Sequence, residues 1–207
     1  MRARLFNTHG ERLFFNEEER TSFIQTADRA ENQKTRTFCS LLHYTGCNFT
    51  EAMKFTPHQV DFDAKAIGFP GPHHSQFSRS IPVPDSFIEL LDAVHGVRQY
   101  QAGLHAEEER VWPLSKTALF KKVARVITEA GISVGPHAVP KGIRHGFFVH
   151  ALRRRVMITR LQKWMGHSFP EYTAQYVAEL LKHAPELLGD ERADAERMWS
   201  SDGRIAA

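Results

Sequence analysis

The chain has 207 residues, of which 42% are hydrophobic and 25% are charged, and its formal net charge is +3. This composition is that of a globular domain and excludes wholesale disorder, and no apolar run approaches the ~20 residues that cross a bilayer. The two cysteines, Cys39 and Cys47, are too few for a disulfide framework and lack the spacing of zinc ligands. The first ten residues show no apolar stretch after their basic residues, so we expect no secretory signal and a cytoplasmic protein.

The N-terminal part of the chain is predicted to be helical. Asn16 precedes three glutamates, which is typical of a helix N-terminus because acidic groups there favour the helix dipole. A second helix is predicted from about Gln33 to Tyr44 and ends at Gly46. A short helix is then predicted from Thr50 as its cap to Lys54.

The middle of the chain changes to a strand pattern. The spacing of apolar residues from Val60 to Ile67 predicts a strand, a turn and a second strand. The segment Arg79–Pro84 predicts a third strand at a sheet edge, because proline cannot donate to a strand ladder. The polar residues 98–109 are predicted to form a loop.

Helical periodicity resumes after Pro84. The predicted helices share apolar residues at three- and four-residue spacing and fall within residues 87–94, 115–131, 140–152, 157–165, 170–183 and 185–199. The predicted fold class is therefore mostly α with a small antiparallel three-stranded sheet. The predicted division of the chain is an N-terminal arm (1–15), one main domain (16–183) and a C-terminal helix and tail (184–207).

Positive charge is concentrated in one stretch of the sequence. No acidic residue occurs between Glu129 and Glu171, whereas the tail from 171 to 207 has eight acids against four Lys or Arg. The basic stretch contains Lys141, Arg144, Arg153, Arg154, Arg155, Arg160 and Lys163. Such a field suits a polyanion such as DNA or RNA, although a solvated helix face is the plain alternative.

Four side chains in this region have the chemistry of phosphate transfer. Lys141 and Arg144 are three residues apart and share a helix face; His167 comes 23 residues after Arg144, and Tyr176 nine residues after His167. A cationic pair can neutralise phosphate oxygens, an imidazole can move a proton, and a phenol can act as nucleophile. Each also has a structural interpretation as a surface charge, a capping residue or a core aromatic.

The ordered set resembles the tyrosine recombinases, also called the phage integrase family. The motif starting at Lys141, the run Leu161–His167 and then Tyr176 follow the family's C-terminal pattern. The segment Leu41–Ala52 is similar to the family's Leu-x-x-Thr-Gly-x-Arg-x-Ser-Glu. The resemblance covers about residues 14–185 and implies the catalytic-domain fold of that family.

The resemblance implies a role for each of the four residues. Tyr176 would attack the scissile phosphate and form a 3′-phosphotyrosyl link, while Arg144 would hold the non-bridging oxygens. His167 would orient or protonate the phosphate, and Lys141 would keep a proton donor where most members have His. No metal or nucleotide cofactor is implied, because the phosphotyrosine conserves the bond energy for rejoining.

Two positions depart from the family pattern. Asn48 stands where the family has an early catalytic Arg, and an amide carries no charge and cannot form a bidentate fork. The turn before the third strand lacks the family's Lys, and its histidines, His73 or His74, are the candidate acids, of which we select His74. The expected catalytic set is therefore kept at Tyr176, Arg144 and His167 and substituted at these two positions.

The resemblance implies a site-specific DNA recombinase or integrase; the alternative is a catalytically impaired DNA-binding accessory or regulatory protein on the same fold. The expected partner is double-stranded DNA. On DNA we expect the chain to form a homo-oligomer or to act with a second recombinase or an accessory protein. We expect no association with a membrane. DNA contacts are predicted at Arg79, Arg153, Arg154, Arg155 and Lys163. A phosphate-handling hydrolase or an RNA binder is a third hypothesis, which no nucleotide loop or metal-ligand spacing supports.

Most members of the family carry a further N-terminal domain that completes a clamp around DNA. Here only residues 1–15 precede the catalytic-like region. We therefore expect weaker and more salt-sensitive DNA binding, or dependence on a partner, with nucleoid association when DNA is bound.

Overall fold

The computed structural model describes residues 4–70, 77–103 and 109–189. Within these ranges the α-helices are α1 (Glu17–Asp28), α2 (Gln33–Thr45), α3 (Phe49–Met53), α4 (Asp85–His95), α5 (Val97–Ala102), α6 (Lys116–Glu129), α7 (Pro140–Arg153), α8 (Ile158–Met165) and α9 (Pro170–His183). Two short 3-10 helices occupy Pro57–Gln59 and Pro185–Leu188. Among the described helices, none combines the length and the apolar character that a bilayer span requires.

Three antiparallel strands form the sheet, in the order β1-β2-β3. The strands are β1 (Val60–Asp61), β2 (Ala66–Pro70) and β3 (Phe77–Pro82). In the pairing of β2 with β3, Ile67 lies opposite Ile81 and Phe69 lies opposite Arg79. The predicted fold class, mostly α with a small antiparallel three-stranded sheet, is confirmed.

Helix α2 is the centre of the packing. It packs against α1, α4, α6 and α7, and it buries Phe38 and Leu41 completely. Trp112 closes one end of this core, with its ring centroid 5.1 Å from that of Phe38, and its indole Nε1 donates to Thr37 Oγ1 at 3.3 Å. The loop that leads into α6 is thereby fixed against α2.

Residues 4–15 pack into the same core. Leu5 and Phe15 are buried, and the arm folds back on itself through a bridge between Phe6 and Arg12. The backbone N–H groups of Leu5 and Phe6 donate to one carboxylate oxygen of Glu179, at 2.9 and 3.1 Å. This contact ties α9 to the N-terminus of the chain.

The predicted loop from residue 98 onwards is wrong in its first part. Residues 97–102 form helix α5, which is anchored by the buried side chain of Val97. The side-chain amide of Gln101 donates to the carbonyl oxygens of Pro57 and Val60, at 2.8 and 2.9 Å. The helix therefore docks through polar bonds, which a search for apolar periodicity does not find. The rest of that loop, at 104–108, and most of the predicted 185–199 helix, from 190 onwards, lie outside the described residues.

Candidate active site

Arg144 projects from α7 to the place where two other helices end. Its Nη1 donates to the carbonyl oxygen of Gly46 at 2.7 Å, and its Nη2 donates to that of Met165 at 2.6 Å. Gly46 and Gly166 end α2 and α8 in the left-handed conformation, with φ of 59° and 64°. Because helix C-termini carry partial negative charge, the two ends hold the guanidinium. Two of its five N–H groups are thus committed, and the others remain available to an oxyanion.

Tyr176 faces inward from α9 and packs against α7. Its ring centroid lies 4.8 Å from that of Phe148, 5.4 Å from that of His145 and 5.5 Å from that of His167. The residue is 4% exposed. Burial raises the pKa of the Tyr176 phenol, and the nearby charge of Arg144 acts against this increase. The phenol is therefore protonated at neutral pH, and it would have to lose this proton to act as a nucleophile.

His167 follows the glycine that ends α8. Its Nδ1 lies 2.9 Å from Thr173 Oγ1, which fixes the plane of the imidazole. Burial, together with the charges of Arg144 and Arg79, lowers the pKa of His167 to about 4. The imidazole is therefore neutral near pH 7, and in this state it can donate a hydrogen bond to a phosphate without carrying a stored proton.

Lys141 lies in the first turn of α7 and is exposed. It is one helical turn before His145, and its charge contributes to the lowered pKa of that buried imidazole. The two cations of the family-like motif therefore differ in exposure, since the Lys141 amine is exposed and the Arg144 guanidinium lies deeper. The guanidinium is fixed by its two carbonyl contacts, whereas the Lys141 amine is exposed to solvent.

Asn48 caps a helix and is exposed to solvent. Its side-chain oxygen accepts from the backbone N–H of Glu51 at 2.8 Å, and the Glu51 carboxylate accepts from the backbone N–H of Asn48 at 2.8 Å. This reciprocal pair is a capping box, so the predicted cap at Thr50 is wrong by two residues. The family pattern has a guanidinium at this position. Here the side-chain oxygen of Asn48 instead caps the N-terminus of α3.

Arg79, predicted as a DNA contact, lies inside the protein. Side chains alternate along β3, so Arg79 shares the buried face of the strand with Ile81. Its guanidinium lies 4.5 Å above the ring of Phe69, and its Nη2 lies 2.7 Å from a carboxylate oxygen of Glu51. A Cβ at Gly166 would lie 2.6 Å from Arg79 Nη1, and the φ of +64° at this position also favours glycine.

The sequence predicts Arg79 as a DNA contact but not its position against Gly166 at the end of α8, and it does not single out Glu51. The three-residue spacing of Asn48 and Glu51 is the signature of a capping box and could have revealed the role of both. Nothing in the sequence shows which face of a three-stranded sheet Arg79 occupies, because this depends on the strand register.

The other predicted DNA contacts lie at the surface. Arg153 and Arg154, at the far end of α7, both form ion pairs with Glu17, at 2.7 and 2.9 Å. Arg155 follows in the left-handed conformation, with φ of 62°, and Lys163 is exposed on α8. From Arg144 to Arg153 the helix rises by roughly 13.5 Å, so these arginines form a separate basic surface from the site.

The structure thus brings together Arg144, His167 and Tyr176, with Lys141 at the start of the same helix as Arg144. Asn48 is linked to Arg79 through Glu51, and it lies two residues after Gly46, whose carbonyl oxygen accepts from Arg144. The selected acid, His74, and the neighbouring His73 lie outside the described residues.

Two buried histidines predict how stability depends on pH. Burial lowers the pKa of His145 to about 3 and holds that of His43 well below the usual 6.5. The unfolded chain takes up protons below about pH 6.5 while the folded protein does not, so this stability is complete above pH 6.5 and is lost as the pH falls. At about pH 5, His145 should account for ~2 kcal/mol of this loss.

Urea unfolding at neutral pH and at about pH 5 measures this effect. The matched variant is His145→Gln, whose amide can donate to the carbonyl of Leu13, which His145 Nδ1 contacts at 3.0 Å. The variant should reduce the difference between the two pH values. An unchanged difference would show that His145 does not stay neutral in the folded state.

Comparison with known proteins places the chain in a family. A model of the phage integrase family matches residues 14–183. Tyrosine recombinase XerA of Pyrococcus furiosus is 26% identical over 180 residues, which cover 86% of this chain and 60% of that protein. The chain therefore spans about six-tenths of the length of this relative.

Solved structures show the same fold. XerH site-specific recombinase, bound to its difH substrate in a pre-cleavage complex, superposes with a TM-score of 0.67 at 19% identity, over 84% of this chain and 54% of that one. The catalytic domain of bacteriophage HP1 integrase superposes with a TM-score of 0.58 at 19% identity, over 85% of this chain and 97% of that one. Since the family model matches most of the chain and the folds agree, the protein belongs to the phage integrase family and has the fold of a tyrosine recombinase catalytic domain.

Proposed function

We propose that the protein cleaves and rejoins duplex DNA through a 3′-phosphotyrosyl intermediate at Tyr176. In the cleavage step, the phenolic oxygen of Tyr176 bonds to phosphorus and the bond from phosphorus to the 5′ oxygen breaks. The phenolic proton leaves, and the 5′ oxygen takes up a proton to become a hydroxyl. Rejoining is the reverse attack by that 5′-hydroxyl, which requires no external energy source.

The convergence of Arg144, His167 and Tyr176 supports this proposal. The guanidinium is fixed by two carbonyl oxygens before any substrate binds, so little reorganisation is needed when charge develops on phosphate oxygens. The charge of Arg144 acts on the phenol of Tyr176 and on the imidazole of His167, which places all three in one electrostatic environment. Membership of a recombinase family supports the same reaction.

Covalent capture tests the proposal. Duplexes tiled across the DNA that flanks the gene, each nicked near its centre, are incubated with the full chain. A nick next to the cleaved bond releases a short fragment, so an adduct cannot rejoin and should accumulate as a slower band on a denaturing gel. The result that rejects the proposal is the absence of any adduct from a tiling that includes a duplex bound by the protein.

Salt dependence should distinguish Lys163 from Arg154 as DNA contacts. Replacing a residue that binds a phosphate lowers the slope of log affinity against log salt by about one. Lys163→Gln should produce this decrease. Arg154→Gln should produce a smaller one, because that guanidinium is already paired with Glu17 at 2.9 Å.

Fluorescence anisotropy with one bound duplex, between about 50 and 200 mM KCl, measures both slopes. Equal slopes for the wild type and Lys163→Gln would show that Lys163 on α8 does not bind a DNA phosphate. A larger decrease of the slope for Arg154→Gln would instead indicate that the DNA interface lies at the far end of α7.

A DNA-binding accessory protein is the second candidate function. The side chain of Asn48 carries no charge and caps α3, and Tyr176 is packed among three rings. Both observations favour a fold that retains the DNA surface without the reaction. Under this alternative the protein binds a flanking duplex and yields no adduct in the capture assay.

A further inference from the structure

The guanidinium of Arg79 is buried without enough hydrogen-bond acceptors. The residue is 4% exposed, and among the described residues its Nε and Nη2 have no hydrogen-bond partner. Glu51 lies 2.7 Å from Nη2, so the two groups form an ion pair, but they are not aligned as a hydrogen bond. A buried guanidinium in this state is costly unless a ligand supplies the missing acceptors.

The position of this guanidinium is at the proposed reaction centre. Its Nη1 lies against Gly166, next to His167, and β3 packs against α8. The charge of Arg79 lowers the pKa of both His167 and Arg144. Arg79 therefore lies at the same end of α8 that holds Arg144, although Arg79 comes from β3 and Arg144 comes from α7.

The charges around this volume favour an anion. Arg79 and Arg144 supply two positive charges, and Glu51 supplies one negative charge to both. The Glu51 carboxylate is also held by the backbone N–H of Asn48 at 2.8 Å, so its capacity as an acceptor is shared. The net positive charge and the unpartnered N–H groups together fit an oxyanion with several acceptor oxygens.

We propose that Arg79 is the second cation of the phosphate site and takes the place of the guanidinium that is absent at position 48. Its N–H groups bind a non-bridging oxygen of the scissile phosphate, while Arg144 binds from α7. Asn48 is then free to cap α3 without loss of the second positive charge. This inference rests on the proposed function for its substrate, a DNA phosphodiester, but it predicts binding of a free oxyanion independently.

Orthovanadate, which resembles a phosphate and accepts a fifth ligand, is the probe for the first experiment. Isothermal titration at fixed ionic strength should show binding to the wild-type chain. Arg79→Met should weaken that binding at least about tenfold, as expected for the loss of a charge-assisted contact. Arg36→Gln is the matched control: this arginine pairs with Asp28 at the surface, and its loss should leave vanadate binding unchanged.

A second variant separates direct contact from general electrostatics. Arg79→Met combined with Glu51→Gln removes one charge of each sign, so the net charge of the site is the same as in the wild type. It also leaves no carboxylate unpaired, which protects the fold if Arg79→Met alone is unstable. If Arg79 contacts the oxyanion, the double variant also binds vanadate weakly. Binding equal to that of the wild type, or no binding to the wild type itself, overturns the proposal.

Covalent capture on DNA provides the final test. Arg79→Met should lower the rate of adduct formation by ~10²–10³, the effect of removing one preorganised donor. Asn48→Arg should restore much of that rate in the Arg79→Met background and add little to the wild type, because one guanidinium would then replace the other. Equal gains in both backgrounds would overturn the role of Arg79. If the wild type forms no adduct, the proposed function fails, while the vanadate titrations still decide the role of Arg79.

Discussion

Tyr176→Phe should form no covalent adduct with any nicked duplex that captures the wild-type protein. In the proposed reaction the phenolic oxygen attacks phosphorus, and the variant lacks only this atom. The ring of Phe fills the same place against Phe148 and His145, so the free energy of unfolding should change by less than ~1 kcal/mol. A denaturing gel and urea unfolding measure the two effects.

Tyr172→Phe is the matched control for this prediction. Tyr172 lies one turn earlier on α9, and its ring centroid is 6.2 Å from that of His167. It is thus the other described tyrosine beside the same imidazole, and its replacement should leave adduct formation intact. If Tyr172→Phe abolished the adduct and Tyr176→Phe did not, the nucleophile would be Tyr172 and the assignment would be wrong.

Arg144→Lys should lose both catalysis and stability. A lysine amine cannot donate to two carbonyl oxygens and a phosphate in the planar arrangement of a guanidinium. We expect adduct formation to slow by at least ~10³. The loss of two charge-assisted hydrogen bonds, to the carbonyls of Gly46 and Met165, should lower the free energy of unfolding by about 2–4 kcal/mol.

Single-turnover capture and urea unfolding measure these two losses. Arg36→Gln removes an exposed ion pair with Asp28 and should cost less than ~1 kcal/mol. If Arg144→Lys unfolds at the same urea concentration as the wild type, the two carbonyl contacts contribute nothing to stability. The guanidinium would then serve the phosphate alone.

Local signals predicted most of the helices because their ends are marked by side chains. Asn16 accepts from Glu19 and starts α1, Ser115 starts α6, and Gly46 ends α2 in the left-handed conformation. The signals failed where tertiary contacts decide. Helix α5 docks through the amide of Gln101, which no pattern of apolar residues reveals.

The site was predictable where its residues form a linear motif. The resemblance to the family implied that Arg144, His167 and Tyr176 lie together. In the structure each of them lies on or just after a helix that packs with the next. The surroundings of Arg79 were not predictable, since its burial depends on pairing with β2 and on contact with the end of α8. The role of Asn48 was accessible in principle through its spacing from Glu51.

The two hydrogen bonds that hold Arg144 at the C-terminal ends of α2 and α8 have an evolutionary consequence. In a lineage of the family that does not cut DNA, this arginine would still stabilise the fold through its two carbonyl contacts, so selection would preserve it for architecture alone. Tyr176, by contrast, could be exchanged for phenylalanine in such a lineage at little cost to folding. Among relatives of this protein, loss of activity should therefore be recorded first at the tyrosine and last at the arginine.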